Sequence, residues 1–476
     1  EAAPRAHATA RITPWAPQPL PEAHATLQSI DLGALWRSAP RTQLGGRVDL
    51  APLPAADAAA GAGWVVTADL ANTAAGPWDR QRLPMDALQA DLSWQGDTAT
   101  VRTLRAQLGG GTLQASGRWQ RAPAGASAAA PPPWQIDAQL ADVDPARLHT
   151  QLAALPIDGQ ATVQGAGEAI DFDATLQARA GARNAAPQAK GAPARALPGL
   201  RALRLQDLRA RGRWADDVLT LEQLRIRTDD AQLAGSARLQ GLGTATPGGR
   251  ADITASAPGL GATVQGELHA TRGAGTAQVK LTDAARTLAW LRRWPGVADA
   301  LADADARGSA TLQARWQGGW QNPELHASLT APRLSVTTAT DAPPIEARQL
   351  KLGVDGTLAQ ARIDAQGQLT QGARQLDLQL ALEGGRSSPK AALADSSWRA
   401  TVQRLQARVR DPALGAGTWL LASRNAVTVS ASPAQGGQVD VGAGELIVTS
   451  PAPSAQATLA WGPARWHGGE LSTTGR

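Results

Sequence analysis

Chemistry needs reactive groups held close together, and this chain offers few sets spaced for it. Its six histidines, His7, His24, His149, His269, His326 and His467, stand apart. None lies at a metal-binding spacing from another, and no HExxH-type pair occurs. No serine sits in a GxSxG elbow. Gly109-Gly110-Gly111 is a poor phosphate loop, because no helix pattern follows to present its amides. The carboxylate pairs Asp216-Asp217 and Asp229-Asp230 fall where turns are expected, and Asp is a turn residue. Nothing marks two carboxylates facing across a cleft as glycoside hydrolysis requires. Cysteine is absent, which removes disulfides, thiol nucleophiles and thiolate metal sites. The expectation is a protein that is not an enzyme, with no cofactor and no metal.

Two residue types remain to be weighed. Trp94, Trp119, Trp214, Trp316 and Trp461 end apolar strand faces, and Trp320 and Trp466 follow soon after two of them. They read either as an aromatic rim at an apolar–polar boundary or as core filling at strand ends, and core filling is the simpler expectation. Arg201, Arg204, Arg209, Arg211 and Arg213 make one segment locally basic. The last three alternate with Ala210, Gly212 and Trp214, so strand patterning explains them first and an anion site second. The net charge of +5 and pI near 10.4 come from dispersed arginines, and no nucleic-acid partner is expected.

What positions these residues is a period of two. Trp64, Val66, Ala68 and Leu70 alternate with small or polar residues, as do Leu88, Ala90, Leu92 and Trp94. Leu113 to Trp119, Trp134 to Leu140, Ile170 to Leu176, Ala310 to Trp316 and Leu376 to Leu382 repeat the pattern. Each set puts its apolar side chains on one face of a strand and Arg, Gln, Asp or Thr on the other, the mark of half-buried antiparallel strands. Turns punctuate them every 8 to 15 residues or so, for example at Gly109-Gly110-Gly111 and Gly384-Gly385, giving roughly 20 to 25 strands.

A sheet of that many strands must curl, split or close. Aromatic residues are 4% of the chain, and alanine, leucine and valine supply most of its apolar content, which suits a thin extended structure better than a thick globule. The expected fold is therefore all-β: one continuous, elongated, curled, antiparallel-rich sheet over residues 1–476 with an apolar groove. Leu92, Leu113, Ile136, Phe172, Leu312, Leu376, Leu378 and Leu380 are expected to line that groove.

Two helical insertions interrupt the strand pattern. Asp144 to Leu155 has a capping Asp, Pro145 at the first helical position, and Pro156 to stop it. Asp283 to Asp305 reads as a helix broken at Pro295. Mobile loops are expected near residues 122–133, 180–196, 241–249 and 384–392, which are rich in Ala, Pro and Gly. No run of about 18 apolar residues marks a membrane span, and the chain reads as an internal piece of something longer.

The phrasing of the strands resembles the TamB family of the AsmA-like superfamily, periplasmic bridge proteins of Gram-negative bacteria. Leu70-Ala71-Asn72, Gly76-Pro77-Trp78-Asp79-Arg80 and Arg82-Leu83-Pro84-Met85 carry the resemblance. So do the stretch from Val101 to Trp119, Gly318-Gly319-Trp320-Gln321-Asn322-Pro323-Glu324-Leu325, and His467-Gly468-Gly469-Glu470-Leu471. The resemblance implies a β-taco, a U-shaped sheet with an apolar lining, held in the periplasm by an N-terminal inner-membrane anchor that this sequence lacks. It also implies phospholipid as cargo between the two membranes and a BamA-class outer-membrane barrel, TamA, as partner in outer-membrane protein assembly, met through a missing C-terminal region. The rival expectations are a scaffold or chaperone whose sheet edges template client strands, and a filled β-solenoid adhesin.

Overall fold

The computed structural model describes residues 3–15, 20–36, 38–53, 63–121, 133–179, 204–293, 297, 301, 304–337, 343–387, 396–432, 437–451, 455–467 and 469–475. Among them the chain is all-β, as expected. It has twenty-eight strands and three short α-helices, and every pairing described between strands is antiparallel. The contacts group the chain into two compact units, Glu1–Gln240 with Arg293–Pro295, and Gly241–Arg292 with Gly296–Arg476.

In the first unit the strands are β1 Arg5–Arg11, β2 Glu22–Ile30, β3 Leu44–Pro52, β4 Gly63–Asn72, β5 Met85–Gln95, β6 Thr98–Leu108 and β7 Gly111–Gln120. They continue as β8 Pro133–Val143, β9 Ile157–Ala166, β10 Ala169–Ala178, β11 Leu205–Ala215, β12 Val218–Thr228 and β13 Gln232–Gln240. Each pairs with the next in sequence, a plain meander. Between β2 and β3 lies α1, Leu32–Leu35, and between β8 and β9 lies α2, Pro145–Leu148.

The second unit holds β14 Gly248–Ala257, β15 Leu260–Leu268, β16 Gly273–Leu281, β17 Asp305–Gln317, β18 Glu324–Thr337, β19 Ile345–Thr357, β20 Ala361–Gln371 and β21 Arg374–Arg386. After these come β22 Trp398–Arg410, β23 Trp419–Ser423, β24 Val427–Ser432, β25 Gln438–Val441, β26 Gly444–Thr449, β27 Gln456–His467 and β28 Glu470–Gly475. The helix α3, Ala284–Leu291, follows β16. Beyond β22 the meander only looks more complex. β23 and β24 both pair with β22, and β25 and β26 both pair with β27, so each couple is one strand with a break in it. At the break Ser423 Oγ accepts from the Leu405 amide at 2.9 Å and Asn425 Oδ1 from the Glu445 amide at 2.9 Å, replacing lost ladder bonds.

The helices start where the sequence puts an aspartate after a strand. Asp31, Asp144 and Asp283 cap the amides of Gly33, Ala146 and Arg286, and Pro145 takes the first helical position of α2. The expected helices are shorter than their patterns. The one expected over Asp144 to Leu155 is a single turn, because His149 is already extended. The one expected over Asp283 to Asp305 has ended by Arg292, and Pro295 lies outside the described residues. Gly384-Gly385 is not a turn but the end of β21, where it pairs with Ala400 and Arg399. There, added Cβ atoms would stand 2.2 Å from the Arg399 carbonyl oxygen and 2.4 Å from the Ala359 carbonyl carbon, so glycine is required by close approach. The loops expected near 122–133 and 180–196 lie almost wholly outside the described residues, residues 384–386 of the loop expected near 384–392 are instead the end of β21, and 241–249 is a turn that leads into β14.

Candidate functional site

The register of the first unit turns the alternation of single strands into rows that cross many strands. One row runs Leu50, Val66, Leu92, Val101, Gly117, Ile136, Val163, Phe172, Gly212, Leu221 from β3 to β12, every step a cross-strand partner. The next row is mostly alanine: Val48, Ala68, Ala90, Leu104, Ala115, Ala138, Ala161, Ala174, Ala210, Leu224. A third, with Leu70, Leu88, Ala106, Leu113 and Leu140, lies beyond it. In the second unit Ala255, Ala262, Val279, Leu312, Leu329, Leu352, Ala365, Leu380 and Leu405 cross nine strands in the same way.

Every residue expected to line a groove therefore sits on an apolar sheet face. Leu92, Ile136 and Phe172 share one row of the first unit, and Leu113 lies two rows away. Leu312 and Leu380 share a row of the second unit, with Leu378 and Leu376 in the two rows beside it. None is buried: Ile136 is 46% and Leu312 37% exposed, and the other six are half-buried. Within the rows named, Ala106 is fully buried, and much of the remaining full burial lies at connections. Val143, Leu155, Ile157 and Ala178 gather where the β8–β9 connection folds over the strand ends, and Ala284 and Leu288 lie on α3. Among the described residues no second layer covers the rows, so each unit presents an apolar face without a packed core above it.

The hollows described lie on the other side of the sheet. The largest of these, about 870 Å³, spans β18 to β23, and its middle strands β19 to β22 each supply a triplet such as Gln366-Gly367-Gln368, Asp377-Leu378-Gln379 or Gln406-Ala407-Arg408. Two polar side chains flanking one apolar-row residue place the space on the polar face with backbone as its floor. Leu378 and Leu380 thus appear in hollow walls only as the middle members of triplets, not as side-chain linings.

One margin of the first apolar face is aromatic. Trp64 pairs with Trp94, Trp94 with Ala99, Ala99 with Trp119, Trp119 with Trp134, and Trp134 with Gly165. The row continues through Ile170 to Trp214. Trp94 and Trp119 meet edge to face, with centroids 6.4 Å apart and planes at 72°. They are 44% and 42% exposed, so they are not the core filling that seemed simpler. The Trp64 and Trp94 indole N–H groups donate to the carbonyl oxygens of Leu20 and Gly96 at 2.8 and 2.7 Å. Strand-by-strand reading found the tryptophans that end strands but not their alignment with Trp64 and Trp134, which begin strands. Antiparallel pairing brings the start of one strand beside the end of the last, and that signal was present in the sequence.

Contacts between tryptophan and glycine occur in both units. A Cβ on Gly165 would stand 2.6 Å from the Trp134 ring, one on Gly275 2.2 Å from Trp316, and one on Gly444 2.3 Å from Trp461. Each tryptophan lies flat across a glycine on the neighbouring strand, which covers backbone that would otherwise face water.

Electrostatics on the polar face are local. His24 and His326 each face an aspartate across one strand pair, Asp49 at 2.8 Å and Asp355 at 2.7 Å. Arg213 pairs with Asp171 at 3.1 Å, and Asp207 receives both Arg225 at 3.6 Å and Arg227 at 2.8 Å. Hydrogen bonds from Thr150 hold the Asp79 carboxyl below its usual value, and Arg465 with Gln438 does the same for Asp440. Among the described residues no cluster of His, Asp or Glu fit to hold a metal occurs, and no helix is long and apolar enough to cross a membrane. No family model matches the chain, and no curated protein matches it.

Proposed function

We propose that this chain is a segment of a periplasmic bridge that carries phospholipid along its apolar sheet faces, between the inner and outer membranes, with a linked role in assembling outer-membrane proteins. One observation carries the reading: in each unit, apolar side chains stay in register across nine or ten strands and remain half-exposed, with no second layer over them among the described residues. A face of that kind shelters acyl chains at about 0.8 kcal/mol per buried CH₂ without a specific pocket. The alanine row flanked by larger residues gives such a chain a shallow bed. The TamB-like phrasing of residues 70–85 supports the same reading, and with it an inner-membrane anchor and an outer-membrane barrel as partner.

The test is lipid carried through purification. Phospholipid identified by mass spectrometry on the wild-type protein, and its loss from Leu378→Asp and Leu380→Asp with strand content retained by circular dichroism, is the expected result. Wild-type protein free of lipid, or variants that keep full occupancy, rules the reading out.

A further inference from the structure

We infer that the polar face of the first unit binds a glycan chain bearing hydroxyl and carboxylate groups, laid across strands β6 to β12. This does not rest on the lipid reading, which concerns the opposite face.

One polar row runs Arg105, Gln114, Gln139, Gln160, Thr175, Arg209, Arg225, each the cross-strand partner of the next. Six steps at about 4.8 Å make it roughly 29 Å long. Beside its middle lies a hollow of about 460 Å³, in whose wall stand Gln114, Gln139, Gln160 and Thr175. The three glutamines are exposed, and their amides have no hydrogen-bond partner among the described residues. Each amide offers donors and an acceptor, the pairing that sugar hydroxyl and acetamido groups need.

The two ends of the row carry surplus cations. Arg105 and Arg209 are exposed and have no acidic partner among the described residues. Arg209 stands directly opposite Arg225, and like charges so placed destabilise a strand pair unless an anion lies between them. Arg225 is only partly offset, because Asp207 at 3.6 Å is shared with the nearer Arg227.

Two of the acids nearby are engaged: Asp137 accepts from Gln135 and Thr162, and Asp158, in the wall of the hollow, accepts from the Asp142 amide. The acidic turns Asp216-Asp217 and Asp229-Asp230 flank the β11–β12 hairpin at its two ends. They repel a broad anionic plane but not a narrow chain crossing the strands, which favours a polymer over a membrane surface.

The experiment is titration calorimetry of the whole chain with hyaluronate oligosaccharides, neutral dextran, polyphosphate and anionic phosphatidylglycerol vesicles. Hyaluronate is expected to bind. Arg209→Gln with Arg225→Gln is expected to weaken it about tenfold or more, and Gln139→Ala or Gln160→Ala severalfold. Arg286→Gln on α3, in the other unit, is expected to leave it unchanged. Melting curves confirm that each exposed substitution folds. Absence of hyaluronate binding overturns the proposal. So does hyaluronate binding indifferent to Gln139 and Gln160, or preference for polyphosphate or vesicles, since each reduces the face to a cationic patch.

Discussion

At the scale of single residues, the structure gives work to groups that look idle in the sequence. Asp79 belongs to the 3₁₀ turn Trp78–Arg80, and its two carboxylate oxygens take the amide and hydroxyl of Thr150 beyond α2, tying two connections together across the strand ends. A carboxyl held below its usual pKa contributes stability above that usual value and loses it as pH falls through the lowered one. The protection factor of the Thr150 amide, its exchange measured against an unstructured peptide at the same pH, should therefore fall only in acid below the ordinary carboxylate range, and Asp79→Asn should remove that pH dependence. A protection factor equal at neutral and acid pH would refute the link. Gly165→Ala tests the tryptophan margin: the added methyl meets the Trp134 ring at 2.6 Å, and a loss of about 1–3 kcal/mol is expected in denaturant melts. An unchanged midpoint would mean that the ring moves aside freely. The aromatic types were legible in the sequence, but their partnership with particular glycines was not, because register decides it.

At the scale of elements, alternation read well and connections read poorly. The strands around Leu92, Phe172 and Leu378 stand where the period of two put them, since one wet and one apolar face leaves a strand little choice of orientation. The cap at Asp144 and the helix start at Asp283 were legible too, but helix lengths were not, because a few leucines spaced for one face do not show whether the chain stays helical past its first turns. The phrase ending Leu70-Ala71-Asn72 proves structural. Asn72 is 4% exposed, accepts from the amides of Gln43 and Ala74, and donates to the carbonyls of Met85 and Leu83, pinning three segments at one strand end. Asn72→Ala leaves those groups unsatisfied and is expected to cost about 1–3 kcal/mol, read as a lower melting temperature. A neutral substitution would show that water takes over the pin.

At the scale of the whole molecule, each unit reads as a sheet whose apolar face has, among the described residues, no lid of its own. Leu378 and Leu380 are half-buried members of that face, and their pairing is made by backbone bonds, so replacing either by aspartate should remove bound lipid while changing stability far less than a core substitution does. Equal loss of fold and lipid would point to a packed interior instead. That the residues expected to line a groove share an apolar sheet face within each unit was legible in the alternation. That the hollows described open among glutamines and arginines was not, because long polar side chains enclose space only once neighbouring strands set them side by side.

The meander carries a further consequence. Within each unit nearly every strand finds its partner in the segment just synthesised, so the contacts that matter are close along the chain. Loop closure is then cheap at each step, and hairpins can be added one after another to a growing edge. Such a chain gains strands without waiting for its far end, and assembly time should grow in proportion to length rather than steeply with it.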